Sequence, residues 1–228
     1  MLLKPRKSRI PDTRQPVKLV VRSARPLTIR DAPRDPAADR SALRFESRER
    51  RREFIDARGV ANAAKVLDHL PEPGCSIHGV IRGNYNYFDT IPAVLRLAAP
   101  ATLDYLAITT LGFSARVAKR LLILIDSGQV RTVDFLVADF FLKVDSEICA
   151  AFRENLRSRG SRLAAAESHA KVLLMQTTDG RHYVSESSAN IRSCRALEQF
   201  ALTNDRELFD FHRQWIQEAM ANGQKETT

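Results

Sequence analysis

Strand-like and helix-like patterns alternate along the chain from Cys75 onward, and this alternation limits the possible folds more than any other feature. Residues 130–141 form a short, strongly apolar run, which predicts a buried strand. Residues 145–159 instead place Ile148, Phe152 and Leu156 on one stripe at helical spacing. Repeated alternation of this kind predicts an α/β domain with a mixed β-sheet between helices.

The same hydrophobic patterns predict the order of the helices and strands along the chain. We predict helices over residues 48–70, 89–98, 114–127 and 145–159, and a last one that Asn204 caps and that runs to about residue 222. We predict strands over residues 76–82, 103–111, 130–141, 181–186 and 197–203. A further strand contains His169, and residues 162–166 lead into it.

The first 47 residues differ in composition from the rest of the chain. Six of the ten prolines and none of the nine glycines lie in residues 1–45. Repeated proline interrupts both helices and strand pairing, so only a short strand over residues 15–22 is compatible with this part. We therefore divide the chain into a basic, proline-rich, extended or disordered arm over residues 1–47 and an α/β domain over residues 48–228.

The net charge of +9 is concentrated near the N-terminus. Residues 1–52 contain 16 Lys and Arg against 6 Asp and Glu, whereas residues 53–228 contain 20 against 21. A basic arm on a nearly neutral body predicts electrostatic binding of a polyanion such as a nucleic acid. A solubilising extension with no partner would have the same charge pattern.

Three further patterns concern membranes, secretion and cysteine chemistry. No apolar run is long enough to span a bilayer, and the start of the chain lacks the apolar core of a secretory signal. We therefore expect a cytoplasmic protein without stable membrane association. Cys75, Cys149 and Cys194 match no metal-binding spacing, and we expect Cys75 and Cys149 to be small buried residues.

The candidate chemistry lies between residues 169 and 190. His169 and Lys171 stand two residues apart on a predicted strand, so their side chains would face the same side. Ser188 and Asn190 follow the next strand, after a hairpin turn at Asp179-Gly180. An imidazole, an ammonium, a hydroxyl and an amide together suit a phosphate group. His-x-Lys by itself also describes an incidental histidine beside a solvated lysine.

The ordered set of residues resembles the signature of the phospholipase D superfamily. That signature is His-x-Lys, an apolar strand, an acidic position, a second strand and then Gly/Ser-Ser-x-Asn; here these are His169-Ala-Lys171 and Ser187-Ser188-Ala-Asn190, with Glu198 eight residues further on. Two positions depart from the pattern. Gln176 stands where the family has Asp, and Ser187 where it has Gly.

The resemblance implies a fold, a mechanism and an assembly. Family members join two such motifs across a pseudo-twofold axis, so one motif per chain implies a homodimer in which two copies of His169 meet. One histidine would form a phosphohistidine, and the other would act as general acid and then base. Lys171, Ser188 and Asn190 would hold the phosphate oxygens, and Glu198 would orient the histidine. The mechanism requires neither a metal nor a cofactor.

Three functional classes follow. The first is a metal-independent nuclease, which the basic arm and the single motif favour. The second is an inactive nucleic-acid-binding protein that keeps the fold, compatible with Gln176 and Ser187. The third is a lipid phosphodiesterase, which the lack of an interfacial apolar helix disfavours. The sequence leaves open DNA or RNA, the strandedness, endo- or exonucleolytic action, and the pathway.

Overall fold

The computed structural model describes residues 48–192 and 196–225. The predicted arm over residues 1–47 and Cys194 lie outside these residues, so what we predict of them stays a prediction.

The described residues form six α-helices and seven β-strands, which alternate up to residue 138; two helices, four consecutive strands and a last helix follow. The helices are α1 (Arg48–Leu67), α2 (Thr90–Ala98), α3 (Ala115–Asp126), α4 (Asp139–Val144), α5 (Ser146–Arg157) and α6 (Arg206–Lys225), with a 3-10 turn at Tyr87–Asp89 before α2. The strands are β1 (Ser76–Ile81), β2 (Leu103–Thr110), β3 (Val130–Ala138), β4 (Arg162–Ala166), β5 (Val172–Thr177), β6 (His182–Ser187) and β7 (Glu198–Asn204).

All seven strands belong to one mixed sheet in the order β1-β7-β6-β5-β2-β3-β4. Strands β2, β3 and β4 are parallel, and the other neighbours are antiparallel. One core includes buried residues of α1 to α5, for example Leu121 and Phe152. A second core includes Phe209, Ile216 and Met220 of α6. The predicted α/β fold, a mixed sheet between helices, is confirmed.

Two boundaries near β3 and β4 differ from the prediction. The strand predicted over residues 130–141 ends at Ala138, and its last residues begin α4, where Phe141 is buried and Phe140 is 46% exposed. Residues 162–166 form a separate edge strand instead of leading into the next one. The Arg162 guanidinium fixes this edge by donating to both carboxylate oxygens of Asp134 on β3, at 2.9 and 2.8 Å.

The residue that caps the N-terminus of the last helix is one position later than predicted. Asn204 ends β7, where it is buried and donates from its amide to the Pro71 carbonyl oxygen at 3.0 Å. Asp205 caps α6 instead, because its carboxylate accepts the Leu208 N–H at 2.8 Å.

The cysteines follow the prediction in part, and the C-terminal aromatic residues divide between core and surface. Cys149 is buried, and burial raises the pKa of its thiol. Cys75 is exposed, since it directly precedes the edge strand β1; its predicted burial is wrong. Phe200 and Phe209 are core residues, but Phe211 is 64% exposed because it lies on the outer face of α6.

A buried ion pair ties α1 to the rest of the domain. Arg120 of α3 places Nη1 2.7 Å from Asp89 Oδ1 and 3.1 Å from Asp56 Oδ1 of α1. Burial raises the pKa of Asp89, and the Arg120 charge opposes that rise. Gly59 of α1 faces the same carboxylate so closely that a Cβ there would lie 2.5 Å from Asp89 Oδ2.

Within residues 48–192 and 196–225, none of the helices combines the length and apolarity needed to cross a bilayer.

Candidate active site

The predicted site residues all lie at one end of the sheet. Strand β2 ends at Thr110, β6 ends at Ser187, β5 begins at Val172 and β7 begins at Glu198. The ladders place these four termini together, because Val172 pairs with Glu186 on β6 and Ser187 with Phe200 on β7. This is also the carboxyl end of the parallel strands β2, β3 and β4, where open α/β sheets commonly bind ligands.

His169 and Lys171 lie in the connection before β5. The prediction that both stand on the strand is wrong, since β5 begins at Val172. The strand starts late because of a contact with β2: the Val172 N–H donates to the Thr109 side-chain oxygen at 2.8 Å, while the backbone ladder of β2 with β5 stops at Ile108. His169 is exposed, and Lys171 Nζ donates to the His169 carbonyl oxygen at 2.7 Å.

On its other side this connection is tied to β6. The Ser187 N–H donates to the Lys171 carbonyl oxygen at 3.1 Å. The His-x-Lys segment is therefore fixed between β2 and β6, with its imidazole reaching solvent.

Asn190 follows β6 and turns back onto the end of β2. Its Oδ1 accepts the Leu111 N–H at 3.1 Å and lies 3.3 Å from the Thr110 hydroxyl. A backbone N–H can only donate, so the atom facing Leu111 must be the amide oxygen. The donor nitrogen of Asn190 is thereby directed away from β2.

Ser188 and Glu198 form a hydrogen-bonded pair. Ser188 Oγ donates to Glu198 Oε2 and accepts the Gln199 N–H at 3.1 Å. In the described part of the chain, Glu198 is bonded to Ser188 and not to His169. The structure thus joins Glu198 to the site through a hydroxyl, and its expected orientation of the histidine stays a prediction.

The two departures from the family pattern occupy different places. Ser187 helps to shape the turn after β6, because its hydroxyl donates to the Gln199 carbonyl oxygen at 2.7 Å and accepts the Ala189 N–H at 2.9 Å. Gln176 pairs with Tyr105 and His182 near the far end of β5. It lies four positions along the strand from Val172, about 13 Å at the usual rise.

The predicted turn at Asp179-Gly180 is present. Gly180 adopts a φ of 86°, in the left-handed region that favours glycine, and its N–H donates to the Thr177 carbonyl oxygen at 3.0 Å. This turn also lies at the end of β5 opposite the candidate site.

A groove of about 600 Å³ adjoins Ser188. It crosses the neighbouring strands β6, β7 and β1, and its walls include His78, Val80, Glu186 and Gln199. The groove leaves open space beside the Ser188 end of the candidate site.

Of the remaining histidines, His212 is buried, and His69, His78 and His182 are exposed or half-buried. His212 lies on the buried, sheet-facing side of α6 and accepts the Trp215 indole N–H at 3.0 Å through Nδ1, while Nε2 lies 3.4 Å from Glu186 Oε1. Burial lowers the pKa of His212, and the Glu186 carboxylate partly offsets that effect. Among the described residues no cluster of three His, Cys, Asp or Glu side chains could hold a metal ion.

Sequence reasoning missed the end of β2 as part of this site. Thr109 and Thr110 are buried there, 1% and 3% exposed, and each contacts one of the two motif segments. Threonine is an ordinary strand residue, so nothing in the sequence distinguished these two hydroxyls.

Comparison with known proteins finds similarity to solved structures. Nuc from Salmonella typhimurium, described as a phospholipase D family member, matches with a TM-score of 0.46 and 15% identity over 65% of this chain and 95% of its own. In fold, the chain is similar to a phospholipase D family member.

Two other solved structures are similar over a smaller part of their own length. Polyphosphate kinase from Porphyromonas gingivalis has a TM-score of 0.44 and 16% identity over 66% of this chain and 25% of its own. Phosphatidylserine synthase from Haemophilus influenzae has a TM-score of 0.44 and 13% identity over 65% of this chain and 38% of its own. No family model matches the chain, and no curated protein matches its sequence.

Proposed function

We propose that this protein is a metal-independent phosphodiesterase, and that it acts as a nuclease. The observation that carries the proposal is the meeting of the His169–Lys171 segment, Ser188 and Asn190 at the carboxyl end of the parallel strands. An imidazole that reaches solvent beside a cation and an amide donor can attack phosphorus while the donors hold the non-bridging oxygens.

The reaction runs in two steps. A His169 nitrogen attacks phosphorus, the bond from phosphorus to the leaving oxygen breaks, and His169 of a second copy donates a proton to that oxygen. The second histidine then takes a proton from water, the resulting hydroxide attacks the phosphohistidine, and the phosphorus–nitrogen bond breaks. Both histidines end in their starting states.

A homodimer supplies the second histidine. The chain carries one His-x-Lys segment, so a two-histidine mechanism needs two chains around a shared cleft. The basic excess of residues 1–52 would hold the polyanionic substrate near that cleft, in a cytoplasmic setting.

An inactive nucleic-acid-binding protein is the second candidate. The charge of residues 1–52 favours it, because such charge binds a polyanion whether or not cleavage follows. The departure from the family pattern at Gln176 does little to favour an inactive protein, because that residue lies about 13 Å along β5 from the end that carries the candidate site. Ser187 gives little support as well, since it stabilises the turn that carries Ser188.

Cleavage with and without the histidine separates the candidates. Labelled single- and double-stranded DNA and RNA are incubated with the protein in excess EDTA, beside His169→Ala and a control, His69→Ala. His69 is an exposed histidine of the loop after α1. We expect EDTA-resistant cleavage that only His169→Ala abolishes. Salt-sensitive binding without cleavage by any of the three proteins would instead support the binding protein.

Mixing tests the shared site. If each cleft needs two histidines, activity falls with the square of the wild-type fraction when wild-type and His169→Ala subunits are exchanged. An equal mixture then keeps about a quarter of the wild-type activity. A linear fall, to about a half, would contradict the dimeric site.

A further inference from the structure

The end of β2 holds both halves of the candidate site. Thr109 accepts the first N–H of β5, that of Val172, at 2.8 Å. The next residue, Thr110, places its hydroxyl 3.3 Å from Asn190 Oδ1, and Leu111 donates its N–H to the same oxygen at 3.1 Å. Three consecutive residues therefore contact Val172, which directly follows the His-x-Lys segment, and Asn190.

We infer that Thr109 and Thr110 are positioning residues of the active site. Thr109 fixes where the His169–Lys171 segment leaves the sheet, and Thr110, with the Leu111 N–H, fixes the orientation of the Asn190 amide. This inference rests on the proposed function, in which Asn190 donates to a phosphate oxygen.

The Thr109 contact replaces a backbone hydrogen bond. The β2–β5 ladder ends at the Ile108–Leu173 pair, and beyond it Val172 bonds to a side chain. A side-chain acceptor lets the backbone of β5 leave the ladder while its N–H stays satisfied in a buried position. Loss of that oxygen would leave the N–H unpaired and release the segment that carries Lys171.

The Thr110 contact concerns chemistry as well as packing. Asparagine has one acceptor and one donor end, and only the donor end can bind a phosphate oxygen. The Thr110 hydroxyl has one proton, and it can donate that proton either to Asn190 Oδ1 or to the Gly112 carbonyl oxygen, which lies 3.1 Å away. A proton donated to Asn190 holds the oxygen end of the amide toward β2, together with the Leu111 N–H.

Four variants test the role of Thr110. Thr110→Val keeps the branched shape and removes the hydroxyl, and Thr110→Ser keeps the hydroxyl. Asn190→Ala removes the group that Thr110 is inferred to hold. Thr132→Val is the matched control, because Thr132 is a threonine near the start of β3 whose hydroxyl donates to the Asp104 carbonyl oxygen at 2.8 Å, away from the site end.

We expect Thr110→Val to lower kcat about tenfold to a hundredfold with little change in KM, as misplacement of a group that acts in the transition state does. Thr110→Ser retains most of kcat, and Thr132→Val resembles the wild type. The decisive result is the double variant: Thr110→Val slows Asn190→Ala no further if it acts through that residue. Full multiplication of the two losses, or a wild-type kcat in Thr110→Val, overturns the inference.

Thr109 is tested through Lys171 in the same way. Thr109→Val lowers kcat, the effect is lost in a Lys171→Ala background, and Thr109→Ser restores activity. If Thr109→Val fails to fold, the comparison of Thr109→Ser with wild type remains: a wild-type kcat and KM support the inference, and a kcat as low as that of Lys171→Ala overturns it.

Binding of orthovanadate, an analogue of the phosphoryl transition state, separates this inference from the proposed function. A wild-type protein that binds orthovanadate but cleaves no nucleic acid contradicts the nuclease. The inference then still predicts that Thr110→Val and Asn190→Ala weaken orthovanadate binding equally and not additively. Equal binding by wild type and Thr110→Val, or no binding by the wild type, overturns it.

Discussion

Ser188 donates a hydrogen bond to Glu198, joining the turn after β6 to the first residue of β7. The same hydroxyl accepts the Gln199 N–H, so it is held from both sides. Glu198 therefore contacts the candidate site through the Ser188 hydroxyl, and a variant that lacks this hydroxyl tests the contact.

We expect Ser188→Ala to lower the rate of cleavage about tenfold to a hundredfold, because loss of a hydrogen bond to a charged group costs roughly 1.5–3 kcal/mol. Ser188→Thr should keep most of the activity. Ser158→Ala is the control, since Ser158 is an exposed serine that donates to the Asn155 carbonyl oxygen at the end of α5. Single-turnover cleavage measures the effect, and an unchanged rate in Ser188→Ala would remove this residue from the site.

Two arginines that contact the same carboxylate should differ strongly in their contribution to stability. Arg120 is 14% exposed and also pairs with the buried Asp89, whereas Arg116 is 40% exposed and pairs with Asp56 alone. Arg120→Leu leaves Asp89 buried without its counter-charge, which costs about 3–5 kcal/mol. Arg116→Leu should cost at most about 1 kcal/mol. Urea unfolding measures both, and equal losses would contradict the buried pair.

Gly59 should be intolerant of the substitution that usually stabilises a helix. Replacing glycine by alanine inside a helix is worth about 1 kcal/mol in the favourable direction. At this position the added Cβ would lie 2.5 Å from Asp89 Oδ2, which Arg120 and the Asn86 N–H hold in place. Gly59→Ala should therefore lower the melting temperature, and a rise would refute the close contact. Ala61→Gly, at an exposed position of α1, gives the ordinary propensity effect for comparison.

His212 should make the free energy of unfolding depend on pH. Burial lowers its pKa below the ordinary value of 6.5, so the unfolded chain binds this proton more readily than the folded one. Its contribution to stability is complete above about pH 6.5 and is lost as the pH falls toward the lower folded-state pKa.

Urea unfolding between pH 7.5 and about 5 measures this dependence. His212→Asn keeps a side-chain acceptor for Trp215 and should flatten the profile. His69→Asn, at an exposed position, should leave the slope unchanged. A slope that persists in His212→Asn would assign the titration to another group.

Deletion of residues 1–45 should weaken nucleic-acid binding and reduce its salt dependence. Each lost phosphate contact lowers the slope of log K against log salt by about 0.9 for duplex DNA. Binding measured over a range of salt concentrations gives the slope. Unchanged affinity and slope would mean that residues 1–45 do not contribute to nucleic-acid binding.

The sequence predicts features that depend on neighbouring residues. The helical stripe of Phe152 and Leu156 and the turn at Gly180 are local signals, and the structure has both elements where we predict them. The break between β4 and β5 has no such local signal, because no glycine or proline lies between Ser161 and Lys171. Pairing of residues 162–166 with β3 makes them a separate strand.

The residues of the candidate site are visible in the sequence, but the contacts that hold them in place are not. The order of His169, Lys171, Ser188 and Asn190 is visible in the sequence, and all four lie at one sheet end. The bond from Val172 to Thr109 joins residues 63 positions apart, and the contact of Thr110 with Asn190 joins residues 80 apart. Such contacts follow from strand order, which residue patterns do not specify.

The strand order has a consequence for synthesis. Strand β2 lies inside the sheet between β3 and β5, yet β5 and the strands β6 and β7 beyond it come late in the chain. We expect a growing polypeptide released only as far as the end of β4 to lack any pocket for phosphate, because the partners of Thr109 and Thr110 have not yet been made. The catalytic cleft would then appear in the last stage of translation, after most of the helical layer has emerged.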